Sequence, residues 1–217
     1  MWVYIHKIIN TYTPVDGDFL KQCEEIAIST IHQFNTTDED INVVLRFDPN
    51  DVILWMRTSW YTINGYMFNV VLDWDKDKWF NELLIWEYKS CIIHELHHVL
   101  RRNYPWYWKS FREVLISEWL ACVAEVEQNP KHDILYIKSS PEELYELGLF
   151  AINQSNDYDH RERYFGSWKL PNWSWYKLWY HLLSQYTNVT QKTSRDLLKM
   201  SWIEIMNDPL FQKLLTS

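Results

Sequence analysis

The residues best suited to chemistry in this chain are two histidines four positions apart, with a glutamate between them. His94, Glu95 and His98 form the pattern His-Glu-x-x-His within an apolar stretch. On an α-helix, residues four apart are rotated by about 40° and lie about 6 Å apart, so His94 and His98 project from one face. Two imidazoles placed in this way can bind one Zn²⁺. Glu95 lies about 100° round the helix, where it can take a proton from the attacking water.

A catalytic zinc site has three protein ligands and leaves the fourth position to water, so a third ligand is needed. The metzincin pattern would continue with Gly at position 101 and His at position 104, but this chain has Arg101 and Tyr104. That class is therefore excluded. The other common arrangement takes a glutamate from a second helix about twenty residues further on. Glu118 follows His98 by 20 residues and is the predicted third ligand.

Two helices joined by a short turn are predicted to bring Glu118 back toward the two histidines. Apolar positions at helical spacing predict a helix over 79–103 that carries the motif. Asn103-Tyr104-Pro105 indicates the end of this helix, because proline cannot donate a hydrogen bond in a helix interior. A capping box, Ser110-x-x-Glu113, then opens the second helix and explains Glu113 as a capping residue.

Other residues near these helix faces leave the third ligand open. Glu125 shares a helix face with Glu118 and is the alternative, either as a ligand or as a partner for the second nitrogen of a ligand histidine. Cys91 and Cys122 also lie near the ligand faces, where cysteine is more often a small buried residue than a ligand. His97 points away from the histidine pair and is predicted to be merely an adjacent polar residue.

The zinc motif and its surroundings resemble the YjaZ-like predicted zinc-dependent proteases, a family with a Glu-zincin arrangement of the active site. The resemblance extends over about residues 80–205 and is carried by four segments, His94–Arg101, Leu115–Ala121, Tyr164–Gly166 and Pro171–Tyr180. It implies that the two histidines of the motif and Glu118 bind zinc and that Glu95 is the general base. Tyr176 or Tyr180 is then the implied hydrogen-bond donor to the oxyanion.

The chain departs from the family pattern at three tryptophans. Trp119, Trp175 and Trp179 stand where the family has glycines, after the ligand glutamate and before each late tyrosine. Such large side chains are expected to narrow or block the substrate cleft without altering the metal ligands. The competing interpretation is core burial, which is the commoner use of tryptophan. His160, in the same downstream region, is an alternative oxyanion donor.

Length, charge and cysteine content limit the class of protein. The 217 residues predict one domain with two lobes, over 1–104 and 105–217. A net charge of −8 argues against nucleic acid or an anionic membrane as a partner. Three cysteines are too few for a disulfide framework and favour a reducing compartment. Because the N-terminal segment lacks signal-peptide features and no apolar run approaches about 20 residues, a soluble cytoplasmic protein is expected.

The first eighty residues predict a mixed sheet ahead of the zinc helix. Strands are predicted over 1–12, 41–47 and 52–60, with a helix over 17–34. Asn64-Gly65 is a hairpin turn signal between residues 60–63 and 66–72. An exposed edge of such a sheet suits the binding of an extended peptide through backbone hydrogen bonds.

The chain after residue 128 has the pattern of helices. Asn172 is predicted to cap a helix that carries Tyr176 and Tyr180 on one face. Other predicted helix starts lie at Ser140-Pro141, at Ser201-x-x-Glu204 and at Asp208-Pro209.

Together these features predict an α+β, zincin-like fold, with a small N-terminal mixed sheet and active-site helix followed by a mainly helical C-terminal lobe. The predicted function is hydrolysis of peptide bonds in a peptide or protein substrate, with one Zn²⁺ per chain. The alternative is a catalytically idle, zinc-stabilised module that binds a peptide or protein in a Trp-lined groove. Glu95 argues against that alternative, since a structural zinc site needs no base. Hydrolysis of a non-peptide amide also stays open.

Overall fold

The part of the chain that the structure describes contains a small sheet, four long helices, one of which lies between the first two strands, and several short C-terminal helices. The computed structural model describes residues 1–9, 14–34, 39–53, 56–64, 66–74, 78–105, 107, 109–130, 138–140, 142–144, 146 and 174–215. Its elements, in chain order, are β1 (Val3–Ile9), α1 (Gly17–Phe34), β2 (Ile41–Phe47), β3 (Thr58–Asn64), β4 (Met67–Leu72), α2 (Lys78–Arg101), α3 (Phe111–Gln128), α4 (Ser174–Thr190), α5 (Ser194–Leu197), α6 (Trp202–Met206) and α7 (Pro209–Leu215). The chain divides into two compact units, one of Met1–Pro105 with Glu127–His132 and one of Trp106–Val126 with Asp133–Ser217.

A mixed four-stranded sheet is the base of the first unit, with the strand order β1-β2-β4-β3. β2 pairs in parallel with β1 and β4, whereas β3 pairs antiparallel with β4. The parallel pair β1 and β2 needs a crossover connection, which α1 supplies. The antiparallel pair confirms the hairpin predicted from Asn64-Gly65, although Gly65 itself lies outside the described residues. Among the described strands β3 therefore lies at one edge of the sheet, and the predicted mixed α and β character of this part of the chain is confirmed.

A large part of the core of the first unit lies on one face of this sheet. Because side chains alternate along a strand, the register places Leu45 and Phe47 on the same face as Val70 and Leu72, and all four are completely buried. Helix α1 packs on this face through Phe19, whose ring centroid lies 6.3 Å from that of Phe47. Helix α2 contacts α1, β3 and β4. Burying each large apolar side chain stabilises such a core by about 1.5–3 kcal/mol.

Two of the predicted elements in this unit have the predicted bounds, and one strand prediction is wrong. Helix α1 and strand β2 occupy 17–34 and 41–47 as expected. The strand expected over 52–60 begins only at Thr58, apart from a single bridge between Ile53 and Thr58. The reason is Arg57, whose φ of 58° interrupts an extended run and whose Nε donates to Asp73 Oδ2 at 3.0 Å. Of the strand predicted over 1–12, β1 covers Val3–Ile9, and residues 10–12 lie outside the described residues.

Helix α3 begins where its capping signal predicts. The Ser110 hydroxyl oxygen accepts a hydrogen bond from the Glu113 N–H at 3.2 Å, which confirms Ser110 as the cap. The capping role of the Glu113 carboxylate stays a prediction, whereas its tertiary contact is observed: Oε1 accepts a hydrogen bond from the Trp202 N–H at 2.8 Å. This contact ties the first turn of α3 to the start of α6 within the second unit.

Aromatic rings form the core of the second unit. The Trp179 ring stacks on Trp119, meets Trp202 edge-on and lies parallel to Phe211, with centroid separations of 4.3, 5.6 and 6.2 Å. Trp119 and Trp179 are both buried. We therefore assign these two tryptophans to the core rather than to the wall of a cleft, in contrast to the expectation that they narrow the substrate cleft. The side chain of Trp175 lies outside the described residues.

Helices α6 and α7 also begin at their predicted signals, whereas the start of α5, capped by Thr193, was not predicted. A complete capping box at Ser201 and Glu204 opens α6, and Asp208 precedes α7, where its Oδ1 accepts from the Leu210 N–H at 2.9 Å. Ser140 caps its segment by accepting from the Glu143 N–H at 3.2 Å. None of the helices in the described ranges is long and apolar enough to cross a membrane.

Candidate metal centre

The two histidines of the motif lie side by side on α2. The ring centroids of His94 and His98 are 4.8 Å apart with an angle of 69° between the rings, and only 3% and 4% of each residue is exposed. This arrangement confirms that the spacing of four residues places both rings on one helix face. Two neighbouring imidazoles in a water-poor environment can present nitrogen atoms to a single ion.

The second half of α2 is buried all the way round. Every residue from 90 to 101 is buried, and Ile92, Ile93 and Leu96 supply apolar contacts on different sides of the helix. A helix segment that is buried on all sides lies in the protein interior. Ionisable residues are rarely placed at such depth without a partner or a task, because their desolvation is costly. The polar residues of the motif are therefore candidates for function on structural grounds as well as by spacing.

Polar contacts hold both ends of this buried segment. The Asn129 side-chain amide donates to the Trp86 carbonyl at 3.2 Å and to the Ser90 hydroxyl oxygen at 3.0 Å. At the other end, the Tyr66 hydroxyl donates to Asn103 Oδ1 at 2.9 Å. These contacts fix the orientation of α2 within the first unit.

Strand β3 meets the motif from the sheet. The Thr62 hydroxyl donates a hydrogen bond to Glu95 Oε2, and the Trp60 ring lies edge-on to the His94 ring with 5.8 Å between centroids. Glu95 is 3% exposed, so its carboxylate is held away from bulk water. Sequence reasoning missed Thr62 and Trp60 as parts of the site. Alternation along the strand places both on one face, but nothing local indicates that this face meets the motif.

His97 is completely buried, although a polar residue with no role in metal binding was expected at this position. It was predicted to be merely an adjacent polar residue, and it has no exposed surface at all. His97 follows His94 by three positions and precedes His98 by one, so helix geometry places it about 60° and about 100° round the helix from them. The structure therefore places His97 in the interior of the protein without assigning it to the metal face.

In the second unit, α3 presents three candidate ligands on one face. Glu118, Cys122 and Glu125 follow the i, i+4, i+7 spacing of a helix face. Cys122 and Glu125 are buried, with 0% and 2% exposed, whereas Glu118 is half-buried. Within α3 the Ser117 hydroxyl donates to the Glu113 carbonyl at 2.7 Å. The helix itself is consistent with each of these residues as a ligand, so Glu118 stays a prediction.

The predicted oxyanion donors are only partly described. Helix α4 carries both Tyr176 and Tyr180, as the i,i+4 pattern predicts, and Tyr180 is half-buried. The side chain of Tyr176, like His160 and the capping residue Asn172, lies outside the described residues.

The donor types on these helices fit zinc better than a hard cation. Imidazole nitrogen, thiolate and carboxylate oxygen are the ligands that zinc takes in proteins, whereas calcium and magnesium prefer oxygen ligands alone. The paired, buried imidazoles of α2 are the part of this set that the structure brings together within one unit. The residues present therefore suit a zinc ion.

Comparison with known families places the chain in a class. A family model described as "Predicted Zn-dependent protease (DUF2268)" matches residues 19–207. The protein belongs to this family of predicted zinc-dependent proteases. The match confirms the resemblance to the YjaZ-like proteases and includes strands β2 to β4, the motif helix and α3. Searches of curated proteins and of solved structures gave no match.

Proposed function

We propose that this protein is a zinc-dependent metallopeptidase that hydrolyses peptide bonds in a peptide or protein substrate. The observation that carries the proposal is the buried group of His94, Glu95 and His98 on one helix, with Thr62 bonded to the glutamate. Two imidazoles with an adjacent carboxylate supply both metal ligands and a proton acceptor, which a structural zinc site does not need. Membership of a family of predicted zinc-dependent proteases supports the same activity.

The proposed ligands are His94, His98 and Glu118, with one zinc ion per chain. Glu118 is preferred to Glu125 because of its distance along the chain from the motif and because family resemblance implies it. The deeper burial of Glu125 suits a partner for the second nitrogen of a ligand histidine. When bound, zinc would activate a water molecule and polarise the scissile carbonyl. A zincin-like fold is part of this proposal.

Glu95 is the proposed general base. Its carboxylate would accept a proton from the attacking water and pass it to the leaving amine as the peptide bond breaks. Tyr176 is the first proposed donor of a hydrogen bond to the oxyanion, with Tyr180 and His160 as alternatives. Burial of Glu95 strengthens its electrostatic interactions relative to those in water.

The edge strand β3 is the proposed docking site for the substrate backbone. The Arg57 carbonyl accepts from the Asp73 N–H, and the Thr58 carbonyl accepts from the Ile53 N–H on the opposite side. By alternation, the backbone groups of Trp60 and Thr62 also point away from β4, toward the sheet edge. An extended peptide that paired with this edge would therefore run beside the residue that holds Glu95.

The test of the proposal is zinc analysis followed by cleavage of a peptide library with and without a chelator. We expect cleavage that a chelator abolishes and that added zinc restores. Bound zinc without cleavage of any peptide would instead favour the idle binding module. Cleavage of small amides but not of peptides would show that the substrate is a non-peptide amide. The proposed role of zinc in hydrolysis would be unchanged.

The remaining expectations about environment belong to the same proposal. Cys23, Cys91 and Cys122 are buried and form no disulfide, which supports a reducing compartment such as the cytoplasm. The net charge of −8 supports peptides or proteins rather than nucleic acid or an anionic membrane as partners. Fractionation of cells that express the tagged protein would test the location.

A further inference from the structure

We infer that Thr62 is a positioning residue for Glu95, and that its hydroxyl holds the carboxylate in the orientation that proton transfer requires. The inference rests on the proposed function, since it concerns the same site. Nothing in the motif itself indicates it, because Thr62 lies 33 residues before Glu95 in the chain.

The contact has the chemistry of a strong orienting bond. The Thr62 hydroxyl donates and Glu95 Oε2 accepts, and hydrogen bonds to an ionised acceptor are about twice as strong as those between neutral groups. Glu95 is 3% exposed, so water competes poorly for this carboxylate. The bond therefore restricts rotation of a side chain that would otherwise sample several rotamers.

The rotamers of the donor are restricted by its side chain and by strand pairing. Threonine is β-branched, which restricts its χ1 angle, and Thr62 stands on a strand paired with β4 opposite Phe68. Two residues earlier on the same strand face, Trp60 contacts the His94 ring. One strand thus touches both the proposed base and a proposed ligand, which fixes the two relative to each other.

Such positioning has a measurable effect on catalysis. A general base must lie within hydrogen-bond reach of the proton that it abstracts. A displacement of about 1 Å can lower the rate about a hundredfold. Loss of the Thr62 hydroxyl should therefore reduce turnover without removing any metal ligand.

The strand also provides a matched control. Thr58 lies on the same face of β3 and is completely buried, and its hydroxyl has no hydrogen-bond partner among the described residues. Thr58→Val and Thr62→Val make the same chemical change on the same strand, but only the second removes a bond to Glu95. Thr62→Ser restores a hydroxyl at the critical position.

The first experiment measures kcat, KM and zinc content of the zinc-loaded variants. We expect Thr62→Val to lower kcat by about tenfold to a hundredfold while KM and zinc content stay within about twofold of wild type. Thr62→Ser should recover most of the rate, and Thr58→Val should match wild type. Full kcat in Thr62→Val, with chelator-sensitive cleavage by the wild type, would overturn the inference and leave the proposed function standing.

The second experiment uses the metal-free protein and needs no activity. Thr62→Val should lower the midpoint of thermal unfolding because it removes one hydrogen-bond donor from a buried carboxylate, and Thr62→Ser should lower it less. In a Glu95→Ala background, Thr62→Val should cause little further change, since the acceptor is gone. An equal loss in both backgrounds would mean that Thr62 acts independently of Glu95, which would overturn the inference. If the wild-type protein cleaves no peptide, the proposed function is wrong. The contact between Thr62 and Glu95 would then only stabilise the fold.

Discussion

Trp119 and Trp179 stack in parallel, with 4.3 Å between their ring centroids and 9° between their planes. One residue comes from the first half of α3 and the other from the first half of α4, so the stack joins two helices of the second unit. Trp179 is also packed against Trp202 and Phe211. Aromatic pairs of this kind contribute about 0.5–1.5 kcal/mol beyond the area that they bury.

Shortening either stacked ring should destabilise the protein rather than change its specificity. Trp119→Ala or Trp179→Ala should lower the free energy of unfolding by about 3–5 kcal/mol, because each leaves a cavity in an aromatic core. Denaturant unfolding measures this loss. Ile203→Ala, at a position 65% exposed on α6, is the control and should change stability by less than about 0.5 kcal/mol. If the variants keep their stability but cleave a different set of peptides, the core assignment is wrong. The two tryptophans would then line the substrate cleft.

Loss of any proposed ligand should remove the metal. His94→Ala, His98→Ala and Glu118→Ala should each lose most of the single zinc that we expect per chain, as measured by elemental analysis after gel filtration. Glu127→Ala, an exposed position on the same helix as Glu118, should keep it. If Glu118→Ala keeps its full zinc content, the third ligand is Glu125 or Cys122 instead. Zinc analysis of Glu125→Ala and Cys122→Ser would then show which of the two binds the metal.

Replacement of the proposed base should separate metal binding from catalysis. Glu95→Gln keeps the shape of the side chain and an oxygen that can accept the Thr62 hydroxyl, but it removes the proton acceptor. Zinc content and thermal stability should stay near wild type, while hydrolysis falls by about a hundredfold or more. A cleavage rate equal to that of wild type would exclude Glu95 as the base or trace the activity to a contaminant.

Alkaline pH should destabilise the first unit through a buried thiol on α1. Burial, and secondarily the charge of Glu24, raises the pKa of Cys23 from 9.0 to about 12. Because the unfolded chain releases this proton near pH 9 and the folded chain retains it, stability is complete below pH 9 and declines as pH rises toward 12. Burial likewise holds the pKa of the nearby Tyr88 hydroxyl above its ordinary range.

Denaturant unfolding from pH 8 to pH 11 in the presence of reductant would measure this decline. The free energy of unfolding of Cys23→Ala should start lower, because a buried side chain is shortened, and should fall less steeply with pH than that of wild type. Parallel pH profiles for the two proteins would show that Cys23 does not contribute to the alkaline loss.

Some structural features of this protein can be predicted from the sequence because they depend on residues that are close together in the chain. The helix over 17–34 and the strand over 41–47 have the predicted bounds, since hydrophobic periodicity depends on near neighbours alone. The pairing of His94 with His98 on one face is likewise a consequence of helix geometry, whatever the helix packs against. The cap at Ser110 and the box at Ser201 also involve only residues within one helical turn.

Only the tertiary structure decided the relationships between residues that are distant in the chain. The strand predicted over 52–60 looked continuous, but Arg57 adopts a positive φ and bonds to Asp73, 16 residues away. The contact of Thr62 with Glu95 depends on which face of β3 meets α2. The alternation of side chains along a strand shows which residues share a face, but not what that face packs against. Trp119 became a core residue for the same physical reason: burial is a property of what packs against a side chain, and its stacking partner lies on another helix.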